Sequence, residues 1–189
     1  TCRIDEVVQS AAKDSQPALA ITDLNNLFGG VKFYKEARGK GVKPILGAEV
    51  QIEGLAGDPA QTSRVVLLVQ SKQGYLNLCE LLARAWTQNV VREHAVVKQA
   101  WLRELSQGLI ALSGAQAGPV GQALMKGNAS RAGELALLLA SLYPHRFYIE
   151  LQRAGRADDE AHVMAAVQLA ARLKLPVVAT HPVQFTQPD

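Results

Sequence analysis

LAITDLNNLFGGVKFYKEARGKGVKPILGAEV, residues 19–50, decides the fold. The apolar run at Leu19 and Ile21 stops at Thr22-Asp23 and reads as a short strand ending in a carboxylate. Asn25 and Asn26 offer side-chain oxygens to the first free N–H groups of an amphipathic helix over roughly residues 27–38. Gly39 and Gly41 end that helix, and Lys43-Pro44 leads into the apolar run Ile45 to Ile52, which carries Glu49. The result is strand, polar turn, helix, basic turn, strand. Ligands in parallel α/β sheets gather at the C-terminal ends of strands, so Asp23 and Glu49 are the first candidate site residues.

The same alternation runs through the rest of the chain. Strands are expected at 18–22, 45–52, 64–70, 108–113, 147–151 and 176–180. Helices are expected at 3–14, 27–38, 72–87, 98–105, 118–142 (broken at Gly127-Asn128) and 158–174. The run Val65-Val66-Leu67-Leu68-Val69 fits a strand buried on both faces. Together these features predict a parallel α/β sheet with right-handed crossovers. EGLAGDPAQTS (53–63) reads as an exposed loop and QNVVREHAVV (88–97) as a linker between helices.

Composition narrows the class without naming a function. At 189 residues, 48% hydrophobic and 20% charged, the chain suits one globular domain with a full core. A net charge of +3 is too small to establish nucleic-acid binding. Cys2 and Cys79 have no metal or redox spacing and read as reduced thiols, which predicts a cytoplasmic location. No apolar run is long enough for a membrane span, and no signal peptide is visible.

The opening stretch, with LLVQSKQGYLNLCELLARAW (67–86), GLIALSGAQAGPVG (108–121), RFYIELQRAGR (146–156) and LPVVATHPVQF (175–185), resembles the PHP (polymerase and histidinol phosphatase) domain of bacterial DNA polymerase III alpha subunits. The resemblance covers nearly the whole chain. It implies a distorted (β/α)7 barrel with mainly parallel strands. Its first strand, bearing an HxH pair, would precede Thr1. Adding that strand to the six read here gives the family's seven. Residues 1–189 are then expected to be a single PHP domain, excised from a longer protein at both ends.

Active members of the family resemble metal-dependent phosphoesterases whose His, Asp, Glu and Cys ligands ring the barrel mouth. Such a basket polarises phosphoryl oxygens and supplies hydroxide at neutral pH, for which Zn2+ or Mn2+ is suited. Carried over position by position, it is largely dismantled in this sequence. The TDH motif becomes Asp23-Leu24, and the glutamate of GxE is Glu49. The strand histidine falls at Arg64, the SGC or SHP position at Ala115, and the final DxH pair at Pro182 and Gln184, next to His181. Of positions 24, 49, 64, 115, 182 and 184, only Glu49 keeps a ligand type. One carboxylate does not hold a catalytic metal, which normally has three protein ligands.

Two residues bear on a rescued site. His181 could lend an imidazole, although a hydrogen-bonded mouth histidine is the plainer reading. Asp23 could ligate or act as a base, but it could equally cap the next helix or pair with Arg64. An ion pair of Arg64 with Asp23 or Glu49 would occupy the old metal position. Lys32, Lys35, Arg38, Lys40 and Lys43 form a basic cluster, either a solvated helix face or a contact for DNA phosphate or an acidic partner. His94, His145 and His162 have no ligand spacing and are expected in surface or satisfied roles. Trp86 and Trp101 should pack on the barrel, unless exposed, when they would suggest docking.

The resemblance therefore implies a parent that is the catalytic alpha subunit of a bacterial replicative polymerase, a nucleotidyltransferase with Mg2+ in its downstream polymerase domain. This domain is expected to need no cofactor and to be non-catalytic. Its expected partners are those downstream domains, the proofreading exonuclease (epsilon) subunit and, through the parent, replisome components and DNA. The alternative is an active metal-dependent phosphoesterase, a 3'-5' exonuclease or pyrophosphatase, with a reduced Zn2+ or Mn2+ site.

Overall fold

The computed structural model describes residues 2–55 and 62–183. The chain starts with α1 (Ile4–Lys13), β1 (Ala18–Ile21), α2 (Gly30–Gly39), β2 (Lys43–Glu53), β3 (Thr62–Val69) and α3 (Lys72–Gln88). A small hairpin, β4 (Val90–Val91) and β5 (His94–Ala95), leads to α4 (Gln99–Glu104) and β6 (Leu109–Leu112). After a 3-10 turn (Ala115–Ala117) come α5 (Pro119–Met125), α6 (Ala129–Leu142), β7 (Phe147–Gln152), α7 (Asp159–Leu173) and β8 (Val177–Thr180).

Local chemistry sets several of these boundaries. Ser71 caps α3 by accepting from the Gly74 N–H at 3.2 Å. Pro119 starts α5, where its missing N–H costs nothing. Gly127, at φ +72, ends the long helical run, and Asn128 restarts it by accepting from the Arg131 N–H at 3.0 Å.

Six strands form one sheet in the order β1-β2-β3-β6-β7-β8. The pairs β1/β2, β6/β7 and β7/β8 are parallel. Strand β3 runs antiparallel to both neighbours, which corrects the expectation of uninterrupted βα crossovers. The reason is length: a parallel return needs a crossover of a dozen or more residues, usually a helix, and the chain between Glu53 and Thr62 is too short. Within the expected 53–63 loop, residues 56–61 lie outside the described residues. The Val65–Val69 run is also reassigned. Val65 and Leu67 are buried while Val66, Leu68 and Val69 are half-buried, so one face is covered in the alternating manner of an antiparallel strand.

The 88–97 segment is more ordered than a linker. Val90 pairs with Ala95 and Val91 with His94 around Arg92 and Glu93, both at positive φ (47° and 66°). Two left-handed central residues match the twist of a tight hairpin, but the usual Asn-Gly signal is absent, which hid the turn in the sequence. The hairpin exit bonds β2: the Val97 N–H donates to the Gln51 carbonyl at 2.8 Å, and the Glu53 N–H to the Val97 carbonyl at 3.2 Å. Strand β8 is an edge strand among the described residues, with Val177 and Ala179 exposed.

The main core joins β2, β3, β6 and β7 to α3, α5, α6 and α7 through Val50, Leu67, Leu81, Leu109, Leu139 and Ile149. A smaller cluster of Val8, Phe33, Ala37 and Val42 seats α1 and α2. Helix α3 touches the turn before β6 backbone to backbone, because a Cβ on Gly74 would collide with the Gly108 carbonyl. Among the described residues the Tyr143 hydroxyl and His162 Nδ1 enter the core without a hydrogen-bond partner. Burial raises the Tyr143 pKa, with Arg146 pulling the other way. Burial lowers the His162 pKa, and Asp159 opposes it.

These packing facts give two predictions. Gly74→Ala should destabilise the chain by about 3 kcal/mol through overpacking, while Tyr143→Phe should be neutral or stabilising by up to about 1 kcal/mol; denaturant melts of both variants check this. For His162 the folded pKa lies below the unfolded value near 6.5, so its stabilising contribution is full above that value. It is lost as pH falls below 6.5 toward the folded pKa. Thermal melts between about pH 7.5 and 5.5 should show a shallower loss in His162→Leu than in the parent sequence.

Candidate functional site

The site residues converge where β1 runs out beside β2. Past Ile21 the chain stays hydrogen-bonded to its neighbour: the Glu49 N–H donates to the Asp23 carbonyl at 3.2 Å, and the Asn25 N–H to the Glu49 carbonyl at 2.7 Å. Leu24 and Glu49 form the resulting bridge. Asn25 is buried and adopts φ 53, a left-handed conformation that Asn tolerates better than most residues. Its Nδ2 donates to the Ala95 carbonyl at 3.0 Å, its Oδ1 accepts from the Gln51 N–H at 3.1 Å, and its carbonyl accepts from Trp86 Nε1 at 2.8 Å. One residue thus binds β2, the hairpin and α3. This replaces the expected helix capping by Asn25. Asn26 makes a local turn instead, accepting from the Phe28 N–H at 3.1 Å, and α2 begins only at Gly30 with no side-chain cap.

Glu49 sits midway along the eleven-residue β2, not at its end as the sequence suggested. Arg64 lies opposite Gln51 in the antiparallel register, which makes it the diagonal neighbour of Glu49. Its Nη1 is 3.6 Å from Glu49 Oε2. Burial raises the Glu49 pKa; Arg64 opposes the shift and nearby Glu150 adds to it. Asp23 is exposed and takes no part in this pair, nor does it cap α2.

Behind this pair stands a second network that the sequence reading missed. Glu150, buried on β7, accepts at Oε2 from the Gly114 N–H at 3.0 Å. Its Oε1 accepts from the Thr180 hydroxyl at 2.5 Å and from Gln152 Nε2 at 3.2 Å. Its own N–H donates to Ser113 Oγ at 2.9 Å. Gly114, at φ +79, presses on the Arg64 carbonyl so closely that a Cβ would overlap it, and Ala115 is buried beside it. The available signal was a lone carboxylate inside the apolar run FYIEL, since a buried charge requires several partners.

The structure therefore brings together Leu24, Glu49 and Arg64, and packs the Ser113-Gly114-Ala115 turn against the Arg64 backbone. It leaves His181 exposed beyond β8 and Pro182 half-buried, while Gln184 lies outside the described residues. In the basic cluster, Lys40 pairs with Glu36 at 3.4 Å, and Lys32, Lys35, Arg38 and Lys43 are charged neighbours on and around the same helix. Trp101 is half-buried under the Lys98 ammonium, whereas Trp86 is exposed apart from its bond to Asn25. His94 and His145 are exposed, and His162 is buried but not fully satisfied. Among the described residues no group of three or more His, Cys, Asp or Glu side chains is placed to hold a metal ion. The donor set does not fit one either: of Leu24, Glu49, Arg64 and Ala115 only Glu49 offers a ligand atom, and it faces the Arg64 guanidinium.

Residues 1–154 match the family model of the PHP domain. The chain belongs to the PHP family. This PHP chain is 45% identical over 192 residues to the DNA polymerase III alpha subunit of Neisseria meningitidis serogroup A, covering 99% of the chain and 16% of that protein. It is 39% identical over 187 residues to the alpha subunit of Pseudomonas aeruginosa, with the same shares covered. With the Escherichia coli K12 subunit it shares 41% over 180 residues, covering 95% of the chain and 15% of that protein. The chain spans about a sixth of the length of these curated relatives. Its fold matches the crystal structure of a candidate metal-dependent phosphoesterase from Bifidobacterium adolescentis, with TM-score 0.54 and 10% identity, over 96% of this chain and 81% of that one. The sheet of the PHP chain is accordingly a curled half-barrel, consistent with a distorted PHP barrel. Among the described residues no helix is long and apolar enough to cross a membrane.

Asn25 gives the prediction for this region. Asn25→Ala leaves the Gln51 N–H and the Ala95 carbonyl short of partners and puts a Cβ-bearing residue without a polar side chain at φ 53. It should cost about 2–4 kcal/mol. Asn25→Gly, which loses the bonds but not the backbone freedom, should cost less. Paired chemical melts check the order.

Proposed function

We propose that this PHP domain belongs to the catalytic alpha subunit of a bacterial replicative DNA polymerase and is itself metal-free and non-catalytic. In this reading residues 1–189 form one domain that braces the polymerase, works in the cytoplasm and docks the proofreading exonuclease subunit. Primer extension, Mg2+ binding and contact with DNA and the replisome belong to the rest of the subunit. The relatives, all DNA polymerase III alpha subunits, support the parent activity.

The observation that carries the inactive reading is the Glu49–Arg64 pair. The one carboxylate retained from the ligand pattern faces a permanent cation at the position where the family resemblance puts a histidine. A guanidinium does not deprotonate to make room for a second cation. Leu24 and Ala115 add apolar groups where donors would be required. A packed barrel keeps its stability when its mouth loses metals, because stability resides in the core and chemistry at the strand ends. The likeness to a phosphoesterase at 10% identity concerns the fold and leaves the chemistry to these residues.

Elemental analysis of the intact subunit, purified without chelator, tests the reading. Less than about a tenth of an equivalent of Zn, Mn or Fe attributable to this domain is expected, with no phosphoesterase turnover. A tightly held equivalent, together with hydrolysis abolished by Glu49→Ala, would establish the phosphoesterase instead.

A further inference from the structure

Helix α2 carries an outer face that nothing among the described residues covers. Its inner positions, Gly30, Phe33 and Ala37, are buried against α1 and β2. On the other side Phe28 is 89% exposed, Val31 67% and Tyr34 49%. These three residues recur every three positions and so lie along one side of the helix and its entry turn. An exposed phenylalanine is costly in water, and three apolar side chains in a row mark a contact surface better than scattered ones do.

The charge around the stripe has one sign. Residues 31–43 contain Lys32, Lys35, Arg38, Lys40 and Lys43 against Glu36 alone, a net +4 that exceeds the +3 of the entire chain. Glu36 is engaged by Lys40. Lys35, Arg38 and Lys43 form no ion pair among the described residues, and Lys32 lies close enough to Asp5 at the start of α1 to help lower its pKa. A convex helix with apolar anchors at three-residue spacing and a basic rim is suited to insertion into a groove. Single-stranded nucleic acid fits less well. It prefers a basic groove lined by aromatic platforms, and here an aliphatic residue separates two aromatics on a ridge.

We propose that the Phe28-Val31-Tyr34 face of α2 is the surface by which this domain docks its protein partner. The partner presents an apolar groove rimmed by carboxylates. This rests on the exonuclease-docking reading above and assigns that contact to a specific face. The apolar anchors supply the buried area, and Lys35 and Arg38 steer and orient the encounter, so the association weakens with salt.

The test uses the intact polymerase subunit and the purified proofreading exonuclease subunit of the same organism, with affinity measured by calorimetry at two salt concentrations. Phe28→Ser with Val31→Ser should weaken binding by about tenfold or more, and Lys35→Glu with Arg38→Glu should do likewise and flatten the salt dependence. Met164→Ser with Val167→Ser, an exposed apolar pair on α7, is the control and should bind as the parent does. The substituted side chains lie outside the two apolar cores, so unchanged melting temperatures are expected for every variant. If the parent binds and both α2 variants bind equally well, the assignment to α2 is overturned while docking stands. Failure of the parent to bind overturns docking itself. Loss of affinity for an oligothymidylate instead of the exonuclease would overturn the protein-groove assignment in favour of nucleic acid.

Discussion

Asn25 holds the mouth of this sheet together by doing what a regular strand residue cannot. In the left-handed conformation it turns the chain out of β1, yet its backbone stays bonded to Glu49. Its amide then reaches Gln51 and Ala95, and its carbonyl receives the Trp86 indole. Without this clamp the end of β1 would lose its hydrogen bonds to the hairpin and to α3, and the apolar contact left there is not directional. The relative placement of Leu24 and Glu49 is a consequence of the same bonds.

The second constraint is the reversal of β3. By running antiparallel it puts Arg64 diagonally across from Glu49, so a cation and a carboxylate meet with no helix between their strands. The pair is partly exposed and contributes little to stability by itself. Its importance is chemical. It fixes which charges face the mouth and compensates some of the burial of Glu49. Glu150 has the complementary role on β7, where its carboxylate ties the Ser113-Gly114 turn to β7 and β8. Both carboxylates at the mouth are thus committed to partners supplied by the chain itself.

The mouth and the outer face of α2 differ in kind. The mouth is internally paired, whereas the outer face of α2 combines exposed apolar side chains with uncompensated positive charge. A domain whose chemistry is turned inward and whose unspent surface faces outward is suited to holding other proteins in place. The proposed brace-and-dock role draws on that contrast, with the family membership supplying its context.

Much of this was legible in the sequence. The six strands and the helices, including the break at Gly127-Asn128, follow from apolar periodicity, glycine and proline, which act locally. That Leu24, Arg64 and Ala115 offer no metal-ligating atom was also readable, because side-chain identity alone decides whether a group can ligate. Three features were not. The direction of β3 depends on loop length and on which neighbour it pairs with. The roles of Asn25 and Glu150 depend on partners 26, 70, 36 and 30 residues away along the chain. The Arg92-Glu93 turn lacks the residues that usually announce it. Local propensity determined the elements and the chemistry each residue could offer. Tertiary structure decided which of those groups meet, because burial and long-range hydrogen bonding are properties of the assembled sheet and not of any segment within it.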